Sequence, residues 1–452
     1  MNSEHTKKMN SQNDSPPSRR DFLKTTSSAA VGTAILGGLS VARSAHGASA
    51  DDTLKIALIG CGGRGSGAAN QALSTEGKTK LVAMADAFPD QLEGSLKNLK
   101  RQHGDKVAVT DDKKFIGFDA YKQAIAEADV VILATPPGFR PIHFEEAVKQ
   151  GKNIFTEKPV ATDGPGVRRF LAAAEESKKK NLKVGVGLQR HHQAGYLETL
   201  KHIEDGAIGD ITAMRVYWNG TTPWVHPRAE LERKYGRALP ELEYQMRNWY
   251  YFVWICGDHI VEQHIHNLDV ANWFLKGHPV RAWGMGGVET RKGPDYGEIF
   301  DHHYVEFEYA NGARVFSQCR HQNGTWSSVS EHAIGTKGVC DVSGHIIRPF
   351  SGSAVRINSR GKDPYQQEHD DFFAAIRNNK PYNEAEYGAH STMTAIMGRM
   401  ATYSGKEITW DNAINSQISV MPKQYSFDAT PPTGPGPDGW YAHAVPGKTV
   451  VV

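Results

Sequence analysis

Cysteine is scarce in this sequence, and it does not occur in any motif that binds metal or carries out redox chemistry. The 452 residues include four cysteines, Cys61, Cys256, Cys319 and Cys340, and no two of them form a Cys-x-x-Cys pair. Zinc ribbons and thioredoxin-like redox sites depend on such pairs. The sequence therefore gives no indication of either kind of site.

Blocks of like charge are also absent. The formal net charge is +2, and no basic run reaches five or six residues. Nucleic acids and anionic membranes attract strongly basic proteins or segments, so the charge pattern predicts neither as a partner. A hydrophobic content of 39% with 23% charged residues is typical of a soluble globular protein. The length allows one to three domains with a large core.

The N-terminal fifty residues lack an apolar run long enough for a transmembrane helix, because the run at about 29–39 is too short. They do have a basic start, the stretch Ser18–Lys24 with two adjacent arginines, and the small-residue sequence Ala48-Ser49-Ala50. This layout predicts a signal peptide over residues 1–50, and the arginine pair resembles the twin-arginine (Tat) export motif. We therefore expect export to the periplasm in the folded state, either with cleavage or with the signal retained as an anchor. Folding in a reducing cytoplasm predicts no disulfide framework.

Residues 51–190 show alternating strand and helix patterns. Several predicted strands are continuous apolar runs, which are typical of strands buried on both faces of a parallel sheet. The predicted fold of this domain is therefore a doubly wound α/β sheet of the Rossmann type. The predicted strands are Leu54–Ile59, Lys80–Asp86, Val107–Thr110, Asp129–Thr135, Asn153–Thr156 and Lys183–Gly187, and the clearest predicted helices are Pro89–Arg101, Pro141–Gln150 and Gly164–Lys179.

The regular alternation of strand and helix patterns ends after residue 190. Residues 191–405 contain several predicted strands joined by turn signals, of which Asn311-Gly312 strongly indicates a hairpin. We predict an α+β domain with a large, mostly antiparallel sheet, one long helix at His259–Leu275, and late helices that pack back on the core. The Pro- and Gly-rich residues 406–452 predict an extended tail. The aromatic-rich stretch Trp218–Trp254 either stacks on sugar rings or packs at an interface.

A dinucleotide-binding motif follows the first predicted strand. Gly60-Cys61-Gly62-Gly63-Arg64-Gly65 is a G-x-G-x-x-G motif with a strand before it and a helix after it. In this motif Gly60 permits the tight turn, Gly62 lets the backbone approach a pyrophosphate, and Gly65 allows close packing of helix and strand. Asp86 ends the second predicted strand 21 residues after Gly65. An acidic residue there accepts hydrogen bonds from the adenosine ribose and repels a 2′-phosphate, which favours NAD over NADP.

Further candidate residues follow the later strands. Thr135 and Pro136 end the fourth strand, where ligands lie in a doubly wound sheet, although a plain strand-ending turn has the same residues. The fifth strand ends in Glu157-Lys158-Pro159, and the sixth is followed by Gln189. Helical spacing predicts that Glu262, His266, Asp269 and Trp273 share one face of a single helix. Asp269 would then either orient His266 or belong to a separate hydrogen-bond network.

Together with the glycine motif, Glu157-Lys158-Pro159 and the stretch Asp258–Asp269 closely resemble the glucose–fructose oxidoreductase/inositol dehydrogenase/MocA (Gfo/Idh/MocA) family. The resemblance covers about residues 54–410. It implies that Lys158 lies beside the nicotinamide and the reacting hydroxyl, that Glu157 lies near the nicotinamide ribose, and that His266 acts as acid and base. The family usually has a substrate-binding aspartate where this sequence has Glu262, whose longer side chain keeps the carboxylate but shifts its position.

The predicted site can be stated in full. The predicted catalytic residues are Lys158, His266 and Glu262, and the predicted cofactor-binding residues are Gly60, Gly62, Gly63, Arg64, Gly65, Asp86, Thr135, Pro136, Glu157, Lys158 and Gln189. We predict no metal site. His264 and His266 face different ways on a helix, which makes them poor joint ligands, and the pair His191-His192 is the other candidate.

The predicted function is that of an NAD-dependent oxidoreductase acting on a sugar, polyol or glycoside. Because little free NAD exists outside the cytoplasm, we expect the cofactor to be tightly bound and regenerated within each cycle. One alternative is a redox-neutral glycosidase that oxidises, eliminates, adds water and reduces again. Glu262–His266 stands where that group would have Tyr-Pro-Thr-His. The other alternative is a non-catalytic sugar-binding protein. The family resemblance also predicts a homo-oligomer, a dimer or tetramer, through the C-terminal sheet.

Overall fold

The computed structural model describes residues 52–452, which form one compact unit. The predicted signal peptide lies outside these residues. Within them, no helix combines the length and apolar character needed to span a bilayer.

The first sheet has six parallel strands in the order β3-β2-β1-β4-β5-β6, the order of a doubly wound Rossmann sheet. Its strands are β1 Leu54–Ile59, β2 Thr79–Asp86, β3 Lys114–Ile116, β4 Val130–Leu133, β5 Asn153–Thr156 and β6 Val184–Val186. The helices between them are α1 Gly63–Leu73, α2 Pro89–His103, α3 Ala120–Ala126, α4 Arg140–Lys149 and α5 Gly164–Lys179.

The central strands are buried on both faces, which explains their continuous apolar runs. Ile56 and Leu58 of β1 belong to one hydrophobic cluster, whereas Ala57 and Ile59 belong to another. Neighbouring residues of a strand point to opposite faces, so each face of β1 has its own core. The predicted α/β class is confirmed.

One predicted strand of this sheet is wrong. Val107–Thr110 forms only an isolated bridge, from Val107 to Leu81, and the strand that pairs with β2 is β3. Val107 and Val109 are buried against the core, so the apolar pattern that predicted a strand reflects burial and not pairing in the sheet. β3 has a weaker pattern, Lys-Phe-Ile, but it lies beside the carboxyl end of β2 near Asp86.

The second sheet has nine strands in the order β14-β13-β12-β11-β7-β10-β9-β8-β15. Every neighbouring pair is antiparallel except β7 and β10, which confirms the predicted mostly antiparallel sheet. Gly312, at a φ of 83°, makes the predicted turn between β9 and β10. The strands are β7 Ile211–Gly220, β8 Pro279–Gly287, β9 His302–Tyr309, β10 Arg314–His321, β11 Ser328–Gly335, β12 Gly338–Asp341, β13 Ile346–Pro349, β14 Val355–Arg356 and β15 Ile408–Thr409.

The α-helices of this half are α6 Ala194–Glu204, α7 Arg228–Tyr235, α8 Glu241–Arg247, α9 Val253–Cys256, α10 His259–Glu262, α11 Ile265–Phe274, α12 Pro364–Arg377, α13 Ala385–Ser404 and α14 Trp410–Asn415. Short 3-10 helices occur at Gly104–Lys106, Asp111–Lys113, Pro137–Phe139, Gln189–His192 and Trp249–Tyr251. The aromatic-rich stretch after β7 is therefore largely helical, and its buried residues form a third hydrophobic cluster to which residues of the C-terminal tail are added.

The predicted single helix at His259–Leu275 is broken into α10 and α11. At the break the amide of His264 donates to the carbonyl of His259, five residues back, while the amide of His266 donates to Gln263, only three back. The carbonyl of Glu262 accepts a hydrogen bond from the side chain of Lys158 instead. A contact between the two halves of the chain thus replaces regular helical bonding at this point.

Residues 52–452 cover one face of the nine-stranded sheet and leave side chains of the other face exposed. Buried and partly exposed residues alternate along β9 and β10. Phe307 is buried on the covered face, whereas Met285 of β8 is 70% exposed on the other side. The homo-oligomer expected through this sheet stays a prediction.

Candidate active site

A cleft of about 840 Å³ lies between the carboxyl ends of the parallel strands and the elements that follow β7. Its walls include the glycine turn after β1, the ends of β2, β4 and β5, and residues of α7, α8, α10 and α11. Ligands of doubly wound sheets bind at this edge. Of the predicted site residues, the cleft brings together Gly60, Gly62, Gly63, Arg64, Gly65, Asp86, Thr135, Pro136, Glu157, Lys158, Glu262 and His266.

The glycine turn has the shape that a dinucleotide needs. Gly60 has a φ of 93°, and a Cβ on it would lie 2.4 Å from the backbone nitrogen of Thr135. A Cβ on Gly65 would lie 1.9 Å from the carbonyl oxygen of Gly60. At Gly62 and Gly63, in contrast, a Cβ would meet nothing within 4 Å. The open positions leave room for a pyrophosphate at the start of α1, while the crowded ones hold the turn against it.

Asp86 lines the cleft at the end of β2. Its carboxylate accepts hydrogen bonds from the amides of Cys61, at 2.6 Å, and Phe88, at 2.9 Å. Burial raises the pKa of Asp86 despite these hydrogen bonds, which lower it. The amides orient the carboxylate beside the glycine turn, where it can accept hydrogen bonds from a ribose.

Arg140 is a buried residue of this wall that the sequence analysis missed. Its guanidinium donates hydrogen bonds to the carbonyls of Thr135 and Glu157, so it ties the end of β4 to the end of β5. Burial lowers the pKa of Arg140 to about 10, with Glu157 and Glu262 opposing the shift. No motif marks Arg140, because its role depends on how α4 packs under the two strand ends.

Lys158 and Glu262 form an ion pair inside the cleft. Lys158 Nζ lies 3.0 Å from Glu262 Oε1, and the two side chains are only 12% and 15% exposed. On the other side of the strand end, the carboxylate of Glu157 pairs with Arg64 Nε at 2.8 Å. Each of these predicted residues therefore contacts a predicted residue from another element. The longer glutamate side chain still delivers its carboxylate to the lysine.

His266 is 6% exposed and lines the cleft near Lys158. Burial, reinforced by the positive charges of Lys158 and Arg190, lowers the pKa of His266 well below its usual value. The imidazole is therefore neutral at neutral pH and able to accept a proton. Its Nδ1 atom is enclosed and has no hydrogen-bond partner among residues 52–452. The indole of Trp218 stacks on the His266 imidazole, with ring centres 5.9 Å apart.

Two residues expected on the same helix face do not reach the cleft. Asp269 accepts from Ser391 Oγ and contacts His191 Nε2 at 2.9 Å, so it belongs to a separate network and does not orient His266. Trp273 stacks on the ring of His191. Both residues lie further along α11 than His266, where Ser391 and His191 contact their side chains.

Gln189, predicted to bind the cofactor, is not among the residues that line the cleft. Its side-chain amide donates to the hydroxyl of Tyr365, at 3.1 Å, and Tyr365 is the residue that reaches the cleft wall. Gln263 was missed and does line the cleft. His321 Nε2 lies 2.7 Å from Gln263 Oε1, which fixes the amide and leaves its NH₂ group available as a donor.

Some residues of the aromatic-rich stretch line the cleft, and others are buried in the core. Trp218, Trp224 and Trp249 line the cleft, and Trp224 is 41% exposed. Trp254 is buried in the core, where its Nε1 donates to Gln245. Apolar ring faces that remain accessible in a cleft are suited to stacking on a ligand ring.

In the described part of the chain, Asp258, His259 and His303 are close enough together to offer three ligands to a metal ion. All three are fully buried. The carboxylate of Asp258 already accepts hydrogen bonds from the hydroxyl of Tyr403 and the amide of Phe300. Hydrogen bonding therefore accounts for this buried charge without an ion.

Comparisons with known proteins decide the family. Residues 54–187 match the family described as "Oxidoreductase family, NAD-binding Rossmann fold", and residues 196–340 match the "GFO/IDH/MocA C-terminal domain". The two matches span more than half of the chain. The protein belongs to the Gfo/Idh/MocA oxidoreductase family. The resemblance inferred from the motifs is confirmed, as are the oxidoreductase class and NAD as the cofactor.

Individual relatives of this Gfo/Idh/MocA protein share sequence or fold. The inositol 2-dehydrogenase of Ralstonia nicotianae is 27% identical over 328 residues, which cover 70% of this chain and 83% of that protein. Scyllo-inositol dehydrogenase from Lactobacillus casei, solved with NAD(H) and scyllo-inositol, superposes with a TM-score of 0.59 at 21% identity, covering 79% and 99% of the two chains. Aldose-aldose oxidoreductase from Caulobacter crescentus gives a TM-score of 0.61 at 18% identity with the same coverage.

Replacing Gly65 by Ala should abolish NAD binding, because the new Cβ would lie 1.9 Å from the carbonyl oxygen of Gly60 and force the turn open. Gly67→Ala is the matched control on the same helix, since the nearest atoms to its Cβ would be those of the Arg64 side chain, at an ordinary contact distance of 3.6 Å. Titration of cofactor-free protein with NAD, followed by tryptophan fluorescence, measures both. Equal affinities in the two variants would contradict this role of the glycine turn.

His266 should stay neutral below pH 6.5, because burial and the neighbouring cations lower its pKa. If His266 is the base, kcat/KM should therefore fall on the acid side only below pH 6.5. Lys158→Met removes one neighbouring cation, so it should raise the pKa of His266 and move this fall to higher pH. Imidazole NMR, with His266 assigned from His266→Gln, follows the titration directly. The exposed Lys201→Met serves as control, and titration of His266 at or above pH 6.5 would refute the assignment.

Proposed function

We propose that this protein oxidises a ring alcohol of a sugar, polyol or glycoside, using NAD that stays bound and is regenerated within each cycle. The observation that carries the proposal is the convergence of Lys158, Glu262 and His266 on the cleft that also holds the glycine turn and Asp86. A non-catalytic binding protein would have no need for an ion-paired lysine beside a neutral imidazole at that position.

The residues divide the work of alcohol oxidation. NAD, when bound along the glycine turn, accepts the hydride. The ammonium of Lys158, held by Glu262, donates a hydrogen bond to the reacting oxygen and stabilises negative charge that develops there. His266 accepts the hydroxyl proton, because its neutral form persists at neutral pH. In the reverse direction His266 returns that proton, so the same residues serve oxidation and reduction.

The lining of the cleft supports a carbohydrate as the substrate. Trp218, Trp224 and Trp249 offer ring faces, while Gln263 offers amide donors to hydroxyl groups. Relatives with these two domains include enzymes named inositol 2-dehydrogenase, and a protein of the same fold is named aldose-aldose oxidoreductase. An internal cycle, in which one sugar is oxidised and another reduced, agrees with such relatives and with the expected export of the folded protein.

Replacing Lys158 by Met should lower turnover by about 100-fold or more while NAD remains bound, because the lysine stabilises the reacting oxygen. Absorbance at the reduced-nicotinamide band, recorded while sugars, polyols and aryl glycosides are added, reports the reaction. Lys179→Met, on the exposed face of α5, is the control. Unchanged turnover in Lys158→Met would overturn the catalytic assignment. Release of aryl alcohol without net reduced cofactor would favour the redox-neutral glycosidase instead.

The retained cofactor has its own test. Protein purified without added NAD should keep a stoichiometric amount through gel filtration and dilution, as measured by mass analysis after denaturation. A Gfo/Idh/MocA enzyme that exchanges NAD freely would lose it in these steps. Loss of the dinucleotide on dilution would contradict internal recycling but leave the oxidoreductase assignment in place.

A further inference from the structure

The outer end of the cleft, beside Asp86, is bridged by a contact between the two halves of the chain. Asp90, in the first turn of α2, accepts a hydrogen bond from the hydroxyl of Tyr235, at 2.8 Å, and one from Arg247 Nη1, at 3.4 Å. Lys234 Nζ adds a third positive or polar group at 3.7 Å. Asp90 belongs to the Rossmann half, whereas all three partners come from the segment after β7.

Arg247 holds this bridge together. Its Nη1 donates to the Tyr235 hydroxyl at 2.7 Å and its Nε to Glu243 at 2.9 Å. Its guanidinium carbon lies 3.9 Å from the ring centre of Phe88 and 4.0 Å from that of Tyr235. The side chain is only 8% exposed. A guanidinium enclosed between two aromatic rings and two carboxylates is positioned from every side.

The same elements form the wall of the cleft at this end. Phe88 and Gln91, on either side of Asp90 in the sequence, line the cleft, and so do Tyr235 and Arg247. Because Asp86 marks the ribose position, this is the end where the adenosine of a dinucleotide lies. The bridge therefore closes across the adenosine and not across the reacting atoms.

We propose that Asp90, Tyr235 and Arg247 form a latch that retains the adenosine end of NAD, so that the cofactor leaves only when the α7–α8 segment separates from α2. This inference rests on the proposed function, since it takes NAD to lie along the glycine turn with its ribose at Asp86. It gives the retained, internally recycled cofactor a structural cause.

The latch has more contacts than an isolated surface ion pair. Although burial opposes ionisation, the hydrogen bond from Tyr235 and the charges of Arg247 and Lys234 lower the pKa of Asp90. The carboxylate is thus ionised at neutral pH, and its hydrogen bonds are charge-assisted. Exposed pairs contribute little, but here one partner is buried and several donors share one acceptor.

The C-terminal tail packs against Phe88, the ring on which Arg247 of the latch stacks. Phe427 stacks on Phe88 with ring centres 5.3 Å apart, and it also packs on Phe118 at 5.0 Å. Tyr425 contacts Phe118 as well. Phe88 therefore lies between Arg247 and a ring of the tail, and these two contacts hold its side chain in place while the latch is closed. Opening requires the α7–α8 segment to move.

The test measures the release rate of NAD from protein purified with its cofactor. The protein is diluted into an excess of an enzyme that destroys free NAD, and the bound NAD that remains is quantified over time. Asp90→Ala and Tyr235→Phe should each release NAD about tenfold faster or more, as expected for loss of a charge-assisted hydrogen bond. The double variant should release NAD more slowly than the product of the two single effects predicts, because both changes remove the hydrogen bond between Tyr235 and Asp90.

Glu145→Ala is the matched control, since it removes an exposed carboxylate that pairs with Arg169, and neither residue lines the cleft. It should leave the release rate unchanged. Tyr235→Phe keeps the aromatic ring, so it decides the question if Asp90→Ala does not fold. Release rates equal to that of the unmodified protein would overturn the latch. Absence of NAD from the unmodified protein, with no uptake when NAD is offered, would instead overturn the proposed function.

Discussion

The ion pair between Lys158 and Glu262 is the contact on which the arrangement of the cleft depends. Lys158 lies at the end of a parallel strand and Glu262 at the end of a short helix more than a hundred residues later. Both side chains are largely enclosed, so neither charge is stable there without the other. The pair joins the two halves of the chain inside the cleft. It also interrupts a helix, because the lysine takes the carbonyl that a continuous helix would have used.

The cleft changes character along its length. At one end a glycine turn with two crowded and two open positions has the shape that a pyrophosphate needs, and Asp86 presents a carboxylate that can accept hydrogen bonds from a ribose. At the other end lie the side chains to which we assign the chemistry, those of Lys158, Glu262 and His266, together with several indole rings. Retention and reaction are thus assigned to different residues. On the proposed latch, a change at Asp90 would alter how long the cofactor stays without touching the groups to which we assign proton transfer.

Local patterns predicted the parts of this structure that short-range chemistry determines. The glycine motif and Asp86 were predictable, because a tight turn and a strand end leave marks in neighbouring residues. Both sheets followed from apolar periodicity, but Val107–Thr110 was mistaken for a strand because burial and pairing leave the same pattern. Arg140, the Gln263–His321 contact and the bridge at Asp90 had no signal, since each joins residues that only the folded chain brings together. Gln189 is the opposite case. Its position after a strand end predicted a contact with the cofactor, but in the folded chain its side chain bonds to Tyr365.

The position of β7 in the nine-stranded sheet has a consequence for synthesis. Both of its neighbours, β10 and β11, are made much later, and β10 begins at Arg314 whereas β7 ends at Gly220. At ordinary translation rates of about 5–20 residues per second, β7 therefore waits for roughly 5–20 seconds with both edges unpaired. The nascent chain must shield this strand, with its own intervening helices or with a chaperone, until the ribosome has delivered β10 and β11.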